Sequence, residues 1–173
     1  AWVDARVFAG YRAVAVDPAG SYVYVTGASV GDEGNNDYAT IKYSGSDGTE
    51  LWTFEDLTHA ARYDGGGDDV AVAVIADSSG NAYVTGSSVQ EFTKIVTLKY
   101  SADGTQAWIT NYFMYGSAEP AALALDHSGH LLVAGSALTG PGTQQDIVVL
   151  KYGCADGNPV NPFPVYFDDN GAN

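Results

Sequence analysis

Cysteine and basic residues are scarce in this chain of 173 residues. The single cysteine, Cys154, excludes a disulfide within the chain. Seven Lys and Arg residues stand against 21 Asp and Glu residues, which gives a formal net charge of -14. Because such a charge repels phosphates and anionic headgroups, we expect no nucleic-acid partner. The longest apolar run, residues 70–76, is too short to cross a bilayer, so we expect no membrane insertion.

Apolar spacing at the helical period is also missing. Apolar residues make up 46% of the chain, enough for a core, but they occur in short alternating runs between turns that contain many of the 21 glycines. Alternation with a period of two, in runs rich in Val and Tyr, is typical of β-strands. We therefore expect one all-β domain over residues 1–173, with almost no helix.

One unit occurs three times along the chain. Each copy has an apolar run that ends in Asp, a turn with glycine, and a second run that ends at Gly27, Gly86 or Gly135. Each copy then reaches a Lys-Tyr pair, at 42–43, 99–100 and 151–152. The first two copies continue to a tryptophan, and the period of these features indicates a repeat architecture.

Each copy is predicted to form four short antiparallel strands. In the first copy these are residues 12–17, 22–29, 37–44 and 49–54. Four such strands correspond to one blade of a β-propeller. We predict a propeller-type repeat of about three blades, either open or completed by assembly with other chains. The predicted blades cover residues 12–55, 70–111 and 121–166, the last with a degenerate fourth strand.

The motifs of the repeat also resemble a known family. They are Ala-Val-Asp-x-x-Gly followed by Tyr-Val-Thr-Gly, then Asp-Tyr-Ala-Thr-Ile-Lys-Tyr at 37–43, then Asp-Gly-Thr-x-x-Trp. Together they resemble the bacterial SBBP-type β-propeller repeat and are similar to NHL repeats, over residues 1 to about 160. The resemblance implies secreted or surface-attached proteins of bacteria and archaea, hence an extracellular or cell-surface location. It implies no conserved catalytic residues.

The two ends of the sequence suggest that a strand is exchanged. Residues 1–3 match residues 107–109, whereas Asn161 stands where the other copies have tryptophan. Residues 1–8 are therefore predicted to be the outer strand of a preceding or partner blade. Three blades are too few to close a ring. Either the chain is part of a longer propeller, or copies join head to tail through residues 1–8 and 158–166 into a ring or filament.

Catalytic motifs in the chain have structural explanations. Ser29 lies in a Gly-x-Ser-x-Gly sequence, but that motif needs a following helix, and an acidic loop follows here. The histidines His59, His127 and His130 lack the spacing of a zinc site. We therefore expect no enzyme and no catalytic residues.

The repeated lysines are predicted to be structural. Lys42, Lys99 and Lys151 occupy one position of the repeat in a very acidic chain. We expect each to pair with a carboxylate of the same or the next blade, such as Asp17 or Asp126.

Two acidic, glycine-rich loops are candidate calcium sites, because Ca²⁺ prefers hard oxygen ligands. Neither loop has the Asp-x-Asp-x-Asp-Gly spacing of a known calcium loop, and capping of turns and strand ends is the alternative. The candidate ligands are Asp32, Asn35, Asp37, Asp64, Asp68 and Asp69.

Aromatic residues of an inter-repeat loop are a second candidate binding site. Tyr112 and Tyr115 are the candidate ligand-binding residues, for a sugar ring, and packing between blades is the alternative. Two functions remain. The first is a non-catalytic extracellular structural or adhesion module that assembles with copies of itself. The second is a carbohydrate- or calcium-dependent module that binds a glycan or a cell-surface protein through the loops of one face. Ca²⁺ is the one cofactor considered.

Overall fold

The described residues of the computed structural model are 8–52, 60–140 and 144–167, and they form twelve β-strands. The strands are β1 (Phe8–Val16), β2 (Tyr22–Val30), β3 (Asn36–Ser44), β4 (Ala61–Tyr63), β5 (Asp68–Ala76), β6 (Ala82–Val89), β7 (Thr93–Tyr100), β8 (Gln106–Tyr112), β9 (Ala118–Leu125), β10 (His130–Leu138), β11 (Gln145–Gly153) and β12 (Val165–Phe167). No helix occurs among the described residues, and so none there could span a membrane. The prediction of an all-β chain is confirmed.

The strands form three four-stranded antiparallel sheets, one for each copy of the repeat. The first sheet contains β1 to β4, the second β5 to β8 and the third β9 to β12, and neighbours in sequence are neighbours in each sheet. Each sheet is therefore a simple meander of hairpins. This order follows from the short turns of the repeat, because a tight turn can join only antiparallel strands.

The Asp that ends the first run of each copy holds the first turn of its sheet. Its carboxylate accepts hydrogen bonds from backbone N–H groups of that turn: Asp17 from Ala19 and Tyr22, Asp77 from Ser79 and Asn81, and Asp126 from Ser128 and His130. The glycine of each turn has a positive φ, between 73° and 81°, which a residue with a side chain adopts only with strain. The Asp-x-x-Gly element of the repeat is thus a turn signal.

The glycine that ends the second run has a different role. A Cβ at Gly86 would lie 2.2 Å from the carbonyl oxygen of Val70 on the adjacent strand. The equivalent contacts at Gly27 and Gly135 would be 2.1 and 2.3 Å. Each glycine pairs next to an irregularity in the register of the first two strands. Only glycine lets the backbones approach this closely.

The second sheet packs between the other two. The core shared by the first and second sheets includes Tyr24, Trp52 and Tyr100, whose rings meet edge to face with centroids 5.8 and 5.7 Å apart. The core shared by the second and third sheets includes Tyr83 and Trp108. The first strands lie side by side, because β1 contacts β5 and β5 contacts β9.

The fourth strand of the first copy differs from the prediction. Residues 49–54 were predicted as that strand, but up to Trp52 they form only an isolated bridge, between Glu50 and Tyr43. The fourth strand is β4, beyond the predicted limit of the first blade at residue 55. The first copy has extra residues between the bridge and β4, whereas β8 of the second copy runs without interruption. In the third copy, β12 follows a similar bridge between Tyr152 and Pro159.

Three elements of the predictions lie outside the described residues. Most of the exchanged strand falls in residues 1–7. Trp2, near the start of that strand, and His59 are the other two.

Candidate functional site

The two acidic loops predicted as calcium sites lie against each other where the first sheet meets the second. One loop joins β2 to β3, and the other joins β4 to β5. The side-chain amide of Asn35 donates to the carbonyl oxygen of Gly67 at 2.6 Å. The backbone N–H and the side-chain amide of Asn36 both donate to Oδ1 of Asp68, at 3.0 and 3.2 Å. These bonds fix one loop on the other.

Three of the six candidate ligands converge beneath these loops. Asp37 lies in β3, Asp64 follows β4, and Asp69 lies in β5. One carboxylate oxygen of each lies within 4.8 Å of the corresponding oxygens of the other two. The side chain of Asp64 is exposed, whereas Asp37 and Asp69 are only 5% and 0% exposed. The structure therefore brings three negative charges together, two of them away from solvent.

Each carboxylate has one oxygen in a defined hydrogen bond. Arg62 Nη2 donates to Asp37 Oδ2 at 3.0 Å, and the N–H of Gly65 donates to Asp69 Oδ2 at 2.6 Å. The N–H of Gly66 donates to Asp64 Oδ1 at 2.7 Å. Within the described part of the chain, Oδ1 of Asp37 and Oδ1 of Asp69 are buried without a hydrogen-bond partner. Buried acceptors of this kind are rare, because an unpaired polar atom loses its hydration without compensation.

The environment of Asp69 disfavours its charged form. Burial raises the pKa of this carboxyl above its usual value, and the neighbouring charges of Asp64 and Asp37 add to the rise. The hydroxyl of Ser88 and the N–H of Gly65 oppose it without cancelling it. A positive charge at the cluster would stabilise the ionised carboxylate of Asp69 and so counteract this rise in its pKa.

Arg62 is a member of the site that the sequence reasoning missed. Besides Asp37, its guanidinium binds the hydroxyl and carbonyl oxygens of Ser29 and the carbonyl oxygen of Val30. It therefore ties β4 to the end of β2. The sequence did contain a signal for Arg62. Basic residues are scarce, and Arg62 is one of only seven and lies two residues before an acidic loop.

The remaining calcium candidates have other surroundings. Asn35 and Asp68 form the bonds between the two loops described above. Asp32 is exposed on its loop and is not a member of the carboxylate cluster.

The repeated lysines bind across the junctions between sheets. Lys42 Nζ donates to the carbonyl oxygen of Ala102 in the second sheet at 2.9 Å, and Lys99 Nζ donates to that of Cys154 in the third, also at 2.9 Å. Lys151 forms an ion pair with Asp126 at 2.9 Å. Among the described residues, the predicted carboxylate partner is thus confirmed for Lys151, while the other two lysines use backbone carbonyls. Their side chains reach the next sheet, whereas no sheet among the described residues follows the third sheet, which contains Lys151.

No protein-family model matches the chain, and no curated protein matches it.

The candidate sugar-binding tyrosines are in different environments. The hydroxyl of Tyr112 lies 2.7 Å from that of Tyr166, and its ring packs against the core between the second and third sheets. Tyr115 is exposed in the loop that follows β8. Tyr112 therefore contributes to packing between sheets, as the alternative interpretation expected.

The serine and histidine motifs form no catalytic set among the described residues. Ser29 accepts a hydrogen bond from Arg62, and β2 leads through a turn into β3, without the helix that a nucleophile elbow requires. His130 Nδ1 lies 3.0 Å from Oδ2 of its own turn residue, Asp126, and His127 is exposed in the same turn.

Proposed function

We propose that this chain is a non-catalytic structural module whose three sheets are blades of a propeller-type repeat, and that copies of it join head to tail. The four-stranded meanders, the adjacent first strands and the two similar junctions support this architecture. The proposal includes membership in the SBBP-type repeat family and an extracellular or cell-surface location, for which the repeated motifs are the support.

The single observation that carries the proposal is the exposure of apolar positions that are buried inside the stack. Val14 of the first sheet and Val74 of the second occupy the same repeat position. Val14 is 66% exposed, whereas Val74 is 9% exposed because it packs against the first sheet. Val16 is exposed on the same side of the first sheet. We call the open part of this side, formed by Val14, Val16, Val23 and Val25, the leading face; Ala39 and Ile41 on the same side are buried against Ala60.

The opposite end of the stack has the complementary property. Ile147 of the third sheet is equivalent to Ile95 of the second, yet Ile147 is 58% exposed and Ile95 is 1% exposed. Phe167 pairs directly with Ile147 and is also exposed. We call this side of the third sheet, formed by Leu132, Ala134, Ile147, Val149 and Phe167, the trailing face. The same surface of the first and second sheets is covered by the sheet that follows.

The trailing face is more apolar than its buried counterparts. In the first sheet that surface contains a hydrogen-bonded pair, Thr26 and Thr40, with hydroxyl oxygens 2.8 Å apart. In the second sheet Thr85 and Thr97 form the same pair at 2.9 Å. The equivalent pair of the third sheet is Ala134 and Val149. A sheet face that is exposed to solvent is expected to carry polar residues. The third sheet instead has apolar residues where the other two sheets have threonine.

The occupant that fits the trailing face is the leading face of a second copy of this chain. Inside the stack, each trailing surface is covered by the leading surface of the next sheet, so the two end faces have the chemistry of an interface that already occurs twice. The contact joins two different surfaces and is therefore heterologous. Such contacts close into a ring or continue as a filament, depending on the rotation between copies.

Two blocking variants test this pairing. Val14→Asp places a charge on the leading face and Ile147→Asp places one on the trailing face, and both positions are exposed, so the fold should persist. We expect light scattering to find each variant monomeric alone. A mixture of the two should form dimers, because one intact leading face meets one intact trailing face.

The matched control is Ile109→Asp, which adds the same charge at an exposed position of the second sheet. It should assemble as the unchanged chain does. Failure of the mixture to form dimers, or loss of assembly in the control, would contradict the head-to-tail interface.

A further inference from the structure

The carboxylate cluster carries more negative charge than its surroundings neutralise. Asp37, Asp64 and Asp69 contribute three carboxylates, and Arg62 at Asp37 Oδ2 is the basic side chain paired with them among the described residues. Two negative charges are thus left over, and one divalent cation would neutralise them. The buried, unpaired Oδ1 atoms of Asp37 and Asp69 are available as ligands.

The atoms at the cluster that could coordinate a metal ion are all oxygens. Besides the carboxylates, the hydroxyl oxygens of Tyr63 and Ser88 line the same space beside Gly65 as Asp69 Oδ1, since each of the three would lie within 3 Å of a Cβ at that glycine. Calcium takes six to eight oxygen ligands at about 2.4 Å, so two ligands on opposite sides of the ion are about 4.8 Å apart. The spread of the carboxylate oxygens, within 4.8 Å, fits this size. The exposed Asp64 leaves a side where water can complete the coordination.

The cluster is particular to this junction and is not a general feature of the repeat. Asp37 pairs with Ser29 in the first sheet, and the equivalent partner of Ser88 in the second sheet is Lys94. Asp69 pairs with Ser88, and the equivalent strand of the third sheet has Ala118, which pairs with Ala137. Asp69 and Asp64 each cap a backbone N–H group through one oxygen, but capping does not account for the unpaired Oδ1 atoms of Asp37 and Asp69. A lysine and an alanine at these positions remove the site from the second junction.

We propose that Asp37, Asp64 and Asp69 bind a calcium ion that fastens the first sheet to the second. Asp37 belongs to the first sheet, Asp69 to the second, and Asp64 to the chain that connects them. The ion therefore resists separation of the two sheets. This inference does not rest on assembly between chains, because all three ligands come from one copy.

The test is thermal unfolding of the EDTA-treated full chain with and without CaCl₂. We expect Ca²⁺ to raise the melting temperature and excess EDTA to reverse the rise. Asp69→Asn should raise the melting temperature of the calcium-free protein, because it removes charge repulsion, and should abolish the response to Ca²⁺. A purely structural role for Asp69 would not produce this opposite pair of effects.

Asp32→Asn is the matched control, because Asp32 lies on the same loop as Asp37 but outside the cluster; it should keep the full response. The monomeric variant Ile147→Asp should also keep it, which separates this inference from the assembly proposal. An unchanged melting temperature with Ca²⁺, an equal response in Asp69→Asn, or an equal response to MgCl₂ would overturn the calcium assignment.

Discussion

Lys42 and Trp52 of the first sheet donate hydrogen bonds to one atom of the second sheet, the carbonyl oxygen of Ala102, at 2.9 and 3.0 Å. The same arrangement occurs at the next junction, where Lys99 and Trp108 donate to the carbonyl oxygen of Cys154 at 2.9 and 3.2 Å. The two most recognisable residues of the repeat therefore hold one sheet to the next. Their repetition follows from the repetition of the junction.

The first prediction compares two lysines at one repeat position. Lys42 is buried, bonds two carbonyl oxygens and lies 4.0 Å from the centre of the Tyr22 ring. Lys42→Met should lower the free energy of unfolding by about 2 kcal/mol, since hydrogen bonds to charged groups contribute about 1.5–3 kcal/mol. Lys151→Met breaks a partly exposed ion pair and should cost less than about 1 kcal/mol. Urea denaturation measures both, and equal losses would argue against a role for Lys42 at the junction.

The second prediction concerns the glycine that ends the second strand of each sheet. Gly86→Ala should destabilise the chain by about 1–3 kcal/mol, because its Cβ would collide with the backbone of β5 and a packed interior cannot yield without strain. Gly10→Ala is the control, since the nearest atom to a Cβ there is 4.0 Å away. Equal melting temperatures for the two variants would show that the close approach of the strands does not matter.

The third prediction is a pH dependence. The ammonium of Lys151, together with the N–H groups of His130 and Ser128, holds the pKa of Asp126 well below its usual range. A carboxyl whose pKa is lower in the folded state stabilises the fold above its unfolded pKa, and this contribution is lost as the pH falls below about 4. Asp126→Asn should therefore lose less stability than the unchanged chain between neutral and acid pH. Glu119→Gln, at an exposed position of β9, should show the ordinary acid loss. If Asp126→Asn and the unchanged chain lose the same free energy of unfolding at acid pH, the Asp126 carboxylate does not stabilise the fold.

The sequence was sufficient for the features that depend on neighbouring residues. Alternation predicted the strands, and Asp-x-x-Gly predicted turns such as the one closed by Asp17, because both are local. The position of β4 was not predictable in this way. Its partner in the sheet is β3. Whether residues 49–54 or Ala61–Tyr63 form the fourth strand depends on the path of the chain after the bridge at Glu50.

The candidate site was predictable as a set of residues but not as a geometry. The acidic loops were visible as candidate ligands, yet Asp37 and Asp69 are 32 residues apart and meet only because the first two sheets stack. Burial of one oxygen from each without a partner is likewise a consequence of that stacking. The sequence also gave no reason to separate Asp68, which bonds to Asn36, from Asp69.

The mass of the unchanged chain in solution tests the central claim, that the leading and trailing faces bind each other. Size-exclusion chromatography with light scattering over a range of concentrations gives this mass directly. We expect a species of at least twice the chain mass of 18.1 kDa, and a return to 18.1 kDa in Ile147→Asp. A mass of 18.1 kDa for the unchanged chain at every concentration would contradict it.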